Sequence, residues 1–510
     1  MPSALPSCAL LALLVVAPVA AVEVAAPFTD HAVLQRDLPV PVWGTEKPGT
    51  TVTVSVAGLS ATAVTDAQGQ WKAVLPSLTA GGPYDLSVTG TTTVVLKNLL
   101  VGEVWLCSGQ SNMEWTTRKS DRGPEEIAQA DHPRIRLLNL ARKKIAAEAP
   151  VRTLTATWEV CSPATVADFS AVAYYFGREL SRELQVPIGL INSSWGGTGA
   201  EAWTSAQAME ASAEFNAVFP AWQKTLDEYP AKFEEYQKVT LPKWEQDVVA
   251  AKAAGKPEPK KPREPNGPKT PHHRPASLYN GMIAPLVPFA LRGAIWYQGE
   301  ANANATRAEP YRRLLPLMIA DWRSRFGTDL SFHLVQLADY GKNVSLSSPW
   351  PVCQWAVLRE SQAEVAATVP KAGMAVAIDI GNPDDIHPTN KQEVGRRLAL
   401  IALAKDYGRP VVSSGPVFAS FAAEGATAVV TFTQAEGLAA KGGDLRGFLL
   451  AGADGKFVEA TGTIAGATVR LTAPGITAPV AVRYGWDNSP KTTLVNGAGL
   501  PAGPFRHPRR

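Results

Sequence analysis

The chain has 510 residues, too many for one ordinary core, so roughly two to four domains are expected. Hydrophobic residues make up 45% and charged residues 19%, a balance that excludes a disordered chain. A formal net charge of +3 is small at this length and argues against nucleic acid or an anionic membrane surface as the main partner.

The first residues, Met1-Pro2-Ser3-Ala4-Leu5-Pro6-Ser7-Cys8, lead into an apolar run from Ala9 to Ala17 and small residues at Val19-Ala20-Ala21. This pattern resembles a secretory signal over residues 1–21, although the usual basic residue at its start is missing. The run is shorter than the about 20 residues a membrane span needs, so the mature chain is expected to lack an integral span and to be secreted or periplasmic. Residues 24–97 alternate with the period of a strand, as in Thr51-Val52-Thr53-Val54-Ser55-Val56, and predict a small β-sandwich domain. The prolines of Leu38-Pro39-Val40-Pro41-Val42-Trp43 suit an edge strand.

From residue 98 to 408 short apolar runs alternate with amphipathic stretches. The runs are Val104-Trp105-Leu106, Ile188-Gly189-Leu190-Ile191, Gly293-Ala294-Ile295-Trp296-Tyr297, Phe332-His333-Leu334-Val335 and Met374-Ala375-Val376-Ala377-Ile378. Helical patterns cover Ala171 to Leu184, Tyr311 to Arg323 (weakened by Pro316) and Gln392 to Ala404. Buried strands alternating with helices predict an α/β domain with a parallel sheet and helices on both faces. Residues 205–275 interrupt it as an insertion. Helical spacing of Trp222, Leu226, Tyr229, Phe233 and Tyr236 gives way to a Lys/Pro-rich segment from Gly255 to Pro275, expected to be an exposed, mobile linker. Strand patterns return in residues 409–510, as in Ala428-Val429-Val430-Thr431-Phe432, and predict a closing β domain.

Without the leader three cysteines are left, Cys107, Cys161 and Cys353, and no Cys-x-x-Cys or His/Cys cluster has metal-ligand spacing. Buried, inert thiols and no metal are expected. The 14 tryptophans suit stacking on sugar rings and core packing equally well.

Ligands of open α/β sheets bind beyond the carboxyl ends of the strands, so the loops after the apolar runs are the informative ones. The first run ends Cys107-Ser108-Gly109-Gln110-Ser111-Asn112-Met113. Ser111 stands in a tight turn between a predicted strand and a predicted helix start, where backbone N–H groups can stabilise an oxyanion. Met113 stands where a Gly-x-Ser-x-Gly elbow would carry its second glycine. A serine needs a base to become a nucleophile. Of seven histidines, His387 has the telling context: Asp384-Asp385-Ile386-His387-Pro388 follows the last apolar run and precedes a helix. A carboxylate two or three residues before the histidine can hold its tautomer, which leaves Asp384 and Asp385 as candidates. Two further loops suit the same site. Ile191-Asn192-Ser193-Ser194-Trp195-Gly196-Gly197-Thr198-Gly199 offers backbone donors, and Trp296-Tyr297-Gln298-Gly299-Glu300-Ala301-Asn302 offers an amide from Gln298 or Asn302.

Together these four loops resemble the sequence blocks of the SGNH (GDSL-like) hydrolase superfamily, and most closely its sialate O-acetylesterase-like carbohydrate acetylesterases. The resemblance implies an SGNH-type α/β fold flanked by β-sandwich-like domains and a secreted esterase removing acetyl groups from a sugar or glycan without a cofactor. It implies Ser111 as nucleophile, His387 as base, Asp384 or Asp385 as acid, and oxyanion donors among the Ser111 N–H, Gly196, Gly197, Gln298 and Asn302. Trp195, Trp115 and Glu300 are the candidate substrate contacts. A non-catalytic carbohydrate-binding protein with an inert core and an esterase of other acyl groups are the alternatives; intact Ser111 and His387 argue against the first.

Overall fold

The structure is a computed structural model that describes residues 21–344 and 353–509. The expected leader therefore lies outside the described residues except for Ala21.

A central sheet runs through the chain. Its strands are β1 (Thr93–Gly109), β2 (His132–Asn139), β3 (Trp158–Cys161), β4 (Ile188–Ser194), β5 (Gly293–Tyr297), β6 (Ser331–Val335) and β7 (Ala372–Ala375), in the spatial order β3-β2-β4-β1-β5-β6-β7. All neighbours pair in parallel except the edge strand β3, which is antiparallel to β2. β4, β5 and β6 are buried at every position because both faces of the sheet are covered, which is why they read as continuous apolar runs. Helices α1 (Ser111–Glu114), α2 (Ala171–Leu184), α3 (Tyr311–Phe326), α4 (Gln354–Thr368) and α5 (Lys391–Lys405) follow β1, β3, β5, β6 and β7. α2 packs with α5, and α3 with α4, to cover the two faces. Pro316 lies inside α3 without ending it.

β1 is 17 residues long and crosses the expected boundary at 97/98. Its first half pairs antiparallel with Gly81–Thr89, and its second half lies in the parallel sheet between β4 and β5. Buried side chains of the N-terminal strands and of the central sheet accordingly form one continuous core. The C-terminal strands form two four-stranded sheets around a separate core that includes Val430, Leu471, Tyr484 and Phe505. Arg359, fully buried in α4, joins this region to the centre. It donates to the carbonyls of Leu337 and Ala338 and to those of Asp487 and Asn488.

The insertion forms one long helix, in which Val218–Glu235 continues through the π-turn Tyr236–Thr240 into Leu241–Ala253. The Lys/Pro-rich segment after it is not the free linker expected from composition. Trp244 donates to the carbonyl of Pro259, Tyr236 to that of Pro262, and Tyr229 to Glu264. Amphipathic aromatic side chains supply apolar contact and a polar handle together, which lays an otherwise core-less segment back along the helix. Cys107, Cys161 and Cys353 are buried free thiols, and burial pushes Cys161 up to about 12. No helix among the described residues is long and apolar enough to cross a membrane.

Candidate active site

β1 delivers Ser111 to the rim of the sheet. Gly109 ends the strand with φ +137°, and a Cβ there would stand 2.2 Å from the carbonyl oxygen of Tyr297, so only glycine fits. Ser111 then opens the single-turn helix α1. Met113, at the position of the missing second glycine, is fully buried under that turn, its carbonyl accepting from Ser170 Oγ.

The loop after β7 brings His387 to the same place. Its Nε2 lies 2.9 Å from Ser111 Oγ. For Nε2 to accept the serine proton, Nδ1 must carry the ring hydrogen. Nδ1 faces Asp385 Oδ1 at 3.5 Å, and that same oxygen accepts the His387 backbone N–H at 2.9 Å. Asp384 forms no ion pair with His387 among the described residues; its N–H is instead donated to Asn382 Oδ1 in a tight turn. Of the two candidate acids, Asp385 is the one beside the imidazole. Its side chain is 57% exposed, so the carboxylate is well solvated. Burial holds the His387 imidazole below the usual histidine value, with Asp385 opposing and Lys391 reinforcing that shift. The Trp115 ring stacks on the imidazole, centroids 5.1 Å apart and planes 18° apart.

The oxyanion candidates divide. The Ser111 and Gly197 N–H groups have no acceptor among the described residues. The Gly196 N–H is donated to Glu114 Oε2 at 2.7 Å. Gln298 Nε2 donates to Asn302 Oδ1, the Thr198 carbonyl and Gln110 Oε1. Asn302 Nδ2 donates to the Glu201 carboxylate, itself paired with Arg307. The expected donors Gly196, Gln298 and Asn302 are therefore corrected: each has its hydrogens committed to the protein's own acceptors. Both amides are fully buried, where an unpartnered donor is costly, so the surrounding loops have claimed them. Gly196 instead lets the glycine loop close on Ser111, since a Cβ there would stand 3.2 Å from Ser111 Cβ.

Trp195 stands at the rim, stacked on His272 at 4.7 Å with Lys144 Nζ 5.3 Å from its ring. The end of the insertion thus returns beside the glycine loop. Glu300 is turned inward. Its Oε1 accepts from Asn112 Nδ2, its Oε2 is buried without a partner, and burial raises its pKa. That orientation does not present a carboxylate to a ligand in the cleft. Two participants escaped the sequence reading, Asn112 and Lys391. Lys391 had a legible signal: a lysine as the first residue of a helix sits against the helix dipole. Among the described residues no group of three or more His, Cys, Asp or Glu could hold a metal ion.

The family described as carbohydrate esterase, sialic acid-specific acetylesterase matches residues 101–231 and 269–404, the two stretches on either side of residues 232–268 of the insertion. Mouse sialate O-acetylesterase is 31% identical over 76% of this chain and 74% of its own length. The human sialate O-acetylesterase is 31% identical over 74% of this chain and 69% of its own. The crystal structure of a carbohydrate acetylesterase from Xanthomonas citri superposes with a TM-score of 0.80 at 38% identity, covering 96% of this chain and all of that one.

Proposed function

The chain belongs to the sialic acid-specific acetylesterase family of carbohydrate esterases, and from that premise we propose that it is a secreted serine esterase releasing acetate from an O-acetylated sugar through an acyl-enzyme on Ser111. The observation that carries this reading is the 2.9 Å approach of His387 Nε2 to Ser111 Oγ, with a carboxylate on the far side of the ring.

In the first step Ser111 Oγ attacks the acetyl carbonyl while its proton passes to His387 Nε2. The carbonyl oxygen takes the negative charge against the N–H groups of Ser111 and Gly197. Collapse returns the proton from His387 to the departing sugar oxygen and leaves acetyl-Ser111. Water then attacks the acetyl carbon, giving its proton to His387. The second collapse frees acetate and restores the Ser111 hydroxyl. Asp385 favours the imidazolium that forms twice in the cycle. Trp115, stacked on the His387 ring, and Trp195, next to Gly196, suit the apolar faces of a sugar ring.

Acetate release from a panel of O-acetylated sialic acids, xylans and other glycans tests the assignment. Release from at least one, with octanoyl esters turned over far more slowly than acetyl esters, is the expected result. Failure on every acetylated glycan beside rapid octanoyl hydrolysis would overturn it. The leader supports export, and a secreted protein whose sequence begins close to Val22 is expected.

A further inference from the structure

Lys391 occupies a position that stability alone does not explain. Its side chain is fully buried, and it is the first residue of α5, where the helix dipole disfavours a cation. It forms no ion pair among the described residues. Glu300, Asp385 and Asp121 act on it only from a distance, and burial pulls its pKa down to about 7. What it does touch is the active site. Nζ donates to Asn112 Oδ1 at 2.5 Å and lies 5.3 Å from the Tyr297 ring and 5.8 Å from the Trp115 ring.

Asn112 completes the connection. It follows Ser111 in α1, and its Nδ2 donates to the carbonyl of Ile386 at 3.0 Å as well as to Glu300 Oε1. Ile386 precedes His387. One asparagine thus ties the serine's turn, the histidine's loop and the loop after β5 together, and the lysine fixes which way its amide points. A free asparagine amide can rotate by half a turn, exchanging donor for acceptor. In its protonated form the lysine cannot accept, so it holds the oxygen on its own side and turns the N–H₂ toward Ile386 and Glu300. The Asp385 carboxylate holds the His387 backbone N–H but is exposed and 3.5 Å from the ring, so the imidazole itself gains only a weak restraint from it.

We propose that Lys391 is a positioning residue of the esterase, orienting the Asn112 amide so that the Ile386 carbonyl, and with it the His387 ring, is held in register with Ser111. The inference rests on the reading of Ser111 and His387 as the reacting pair. The full chain carrying Lys391→Met, Asn112→Ala or both tests it on p-nitrophenyl acetate, with Ser111→Ala as control. The expected result is a fall in kcat of about 30- to 100-fold for Lys391→Met, with KM within about 3-fold, because misplacing a reacting group costs rate rather than binding. The double variant should be no slower than Asn112→Ala alone, since both changes cut one connection. A Lys391→Met kcat within about 3-fold of the wild type, or losses that multiply in the double variant, would overturn it. Should Lys391→Met fail to fold, Asn112→Ala decides: a wild-type kcat there contradicts the proposal, and a matching loss supports it. Wild-type turnover by Ser111→Ala would instead overturn the nucleophile assignment underneath.

Discussion

Two sets of serine, histidine and aspartate sit at opposite rims of the same parallel sheet. At the carboxyl rim, His387 takes the Ser111 hydroxyl on Nε2 and has Asp385 on the other side of its ring. At the amino rim, Asp406 is the hub: it accepts from Ser331 Oγ at 2.5 Å and pairs with His333 Nε2 at 2.6 Å. The second histidine is fully buried, with the aspartate only 6% exposed, whereas the first imidazole is 29% exposed. The residue types are the same and the wiring differs. With the aspartate in the middle, the serine hydroxyl donates its hydrogen bond to the carboxylate and no imidazole faces an alcohol. With the histidine in the middle and open to solvent, the alcohol has a base and an ester can reach it. Proximity of the three residue types is therefore no evidence of catalysis; the order of connection and access are.

This contrast can be broken experimentally at either rim. His387→Ala should lower kcat/KM by about three orders of magnitude or more while leaving the thermal midpoint near that of the wild type. A comparable loss from His333→Ala in folded protein would erase the distinction. Asp385→Asn should cost about 10- to 100-fold, less than the roughly 10⁴-fold known for a buried triad acid, because this carboxylate is solvated and 3.5 Å from the ring. A 10⁴-fold loss would mean the exposed acid is worth as much as a buried one.

The pH dependence sharpens the same point. Burial depresses the His387 pKa, so the base form forms below the ordinary value of 6.5, and kcat/KM should rise with pH through an apparent pKa under 6.5. Asp385 raises that pKa, so Asp385→Asn should shift the limb to lower pH; an upward shift would contradict the contact. The smallest kinetic effect is expected from Asp406→Asn. It should leave kcat/KM within about 3-fold yet lower stability by about 1–3 kcal/mol in denaturant unfolding, the cost of spoiling a buried hydrogen-bonded group.

Much of this organisation is legible in the sequence. The apolar runs mark the strands because a doubly covered sheet buries both faces, and the loops that follow them place Ser111 and His387. What escapes is set by side-chain partners distant in the chain. Nothing near Gln298 or Asn302 reveals that Thr198 and Glu201 absorb their amide hydrogens. The boundary at 97/98 is invisible as a continuous strand because β1 changes its pairing partners there without changing its backbone. Composition reads Gly255 to Pro275 as free chain, since carbonyls accepting from Tyr236 and Trp244 leave no trace in it. Choosing between Asp384 and Asp385 needs the turn geometry that spends the Asp384 N–H on Asn382.

The most direct measurement is intact-mass and peptide mapping after treatment with diisopropyl fluorophosphate. One adduct on Ser111, abolished in Ser111→Ala together with acetate release, is the result expected from a nucleophile poised against His387. An adduct on another serine, or steady deacetylation by an enzyme that never becomes labelled, would contradict the active site described above.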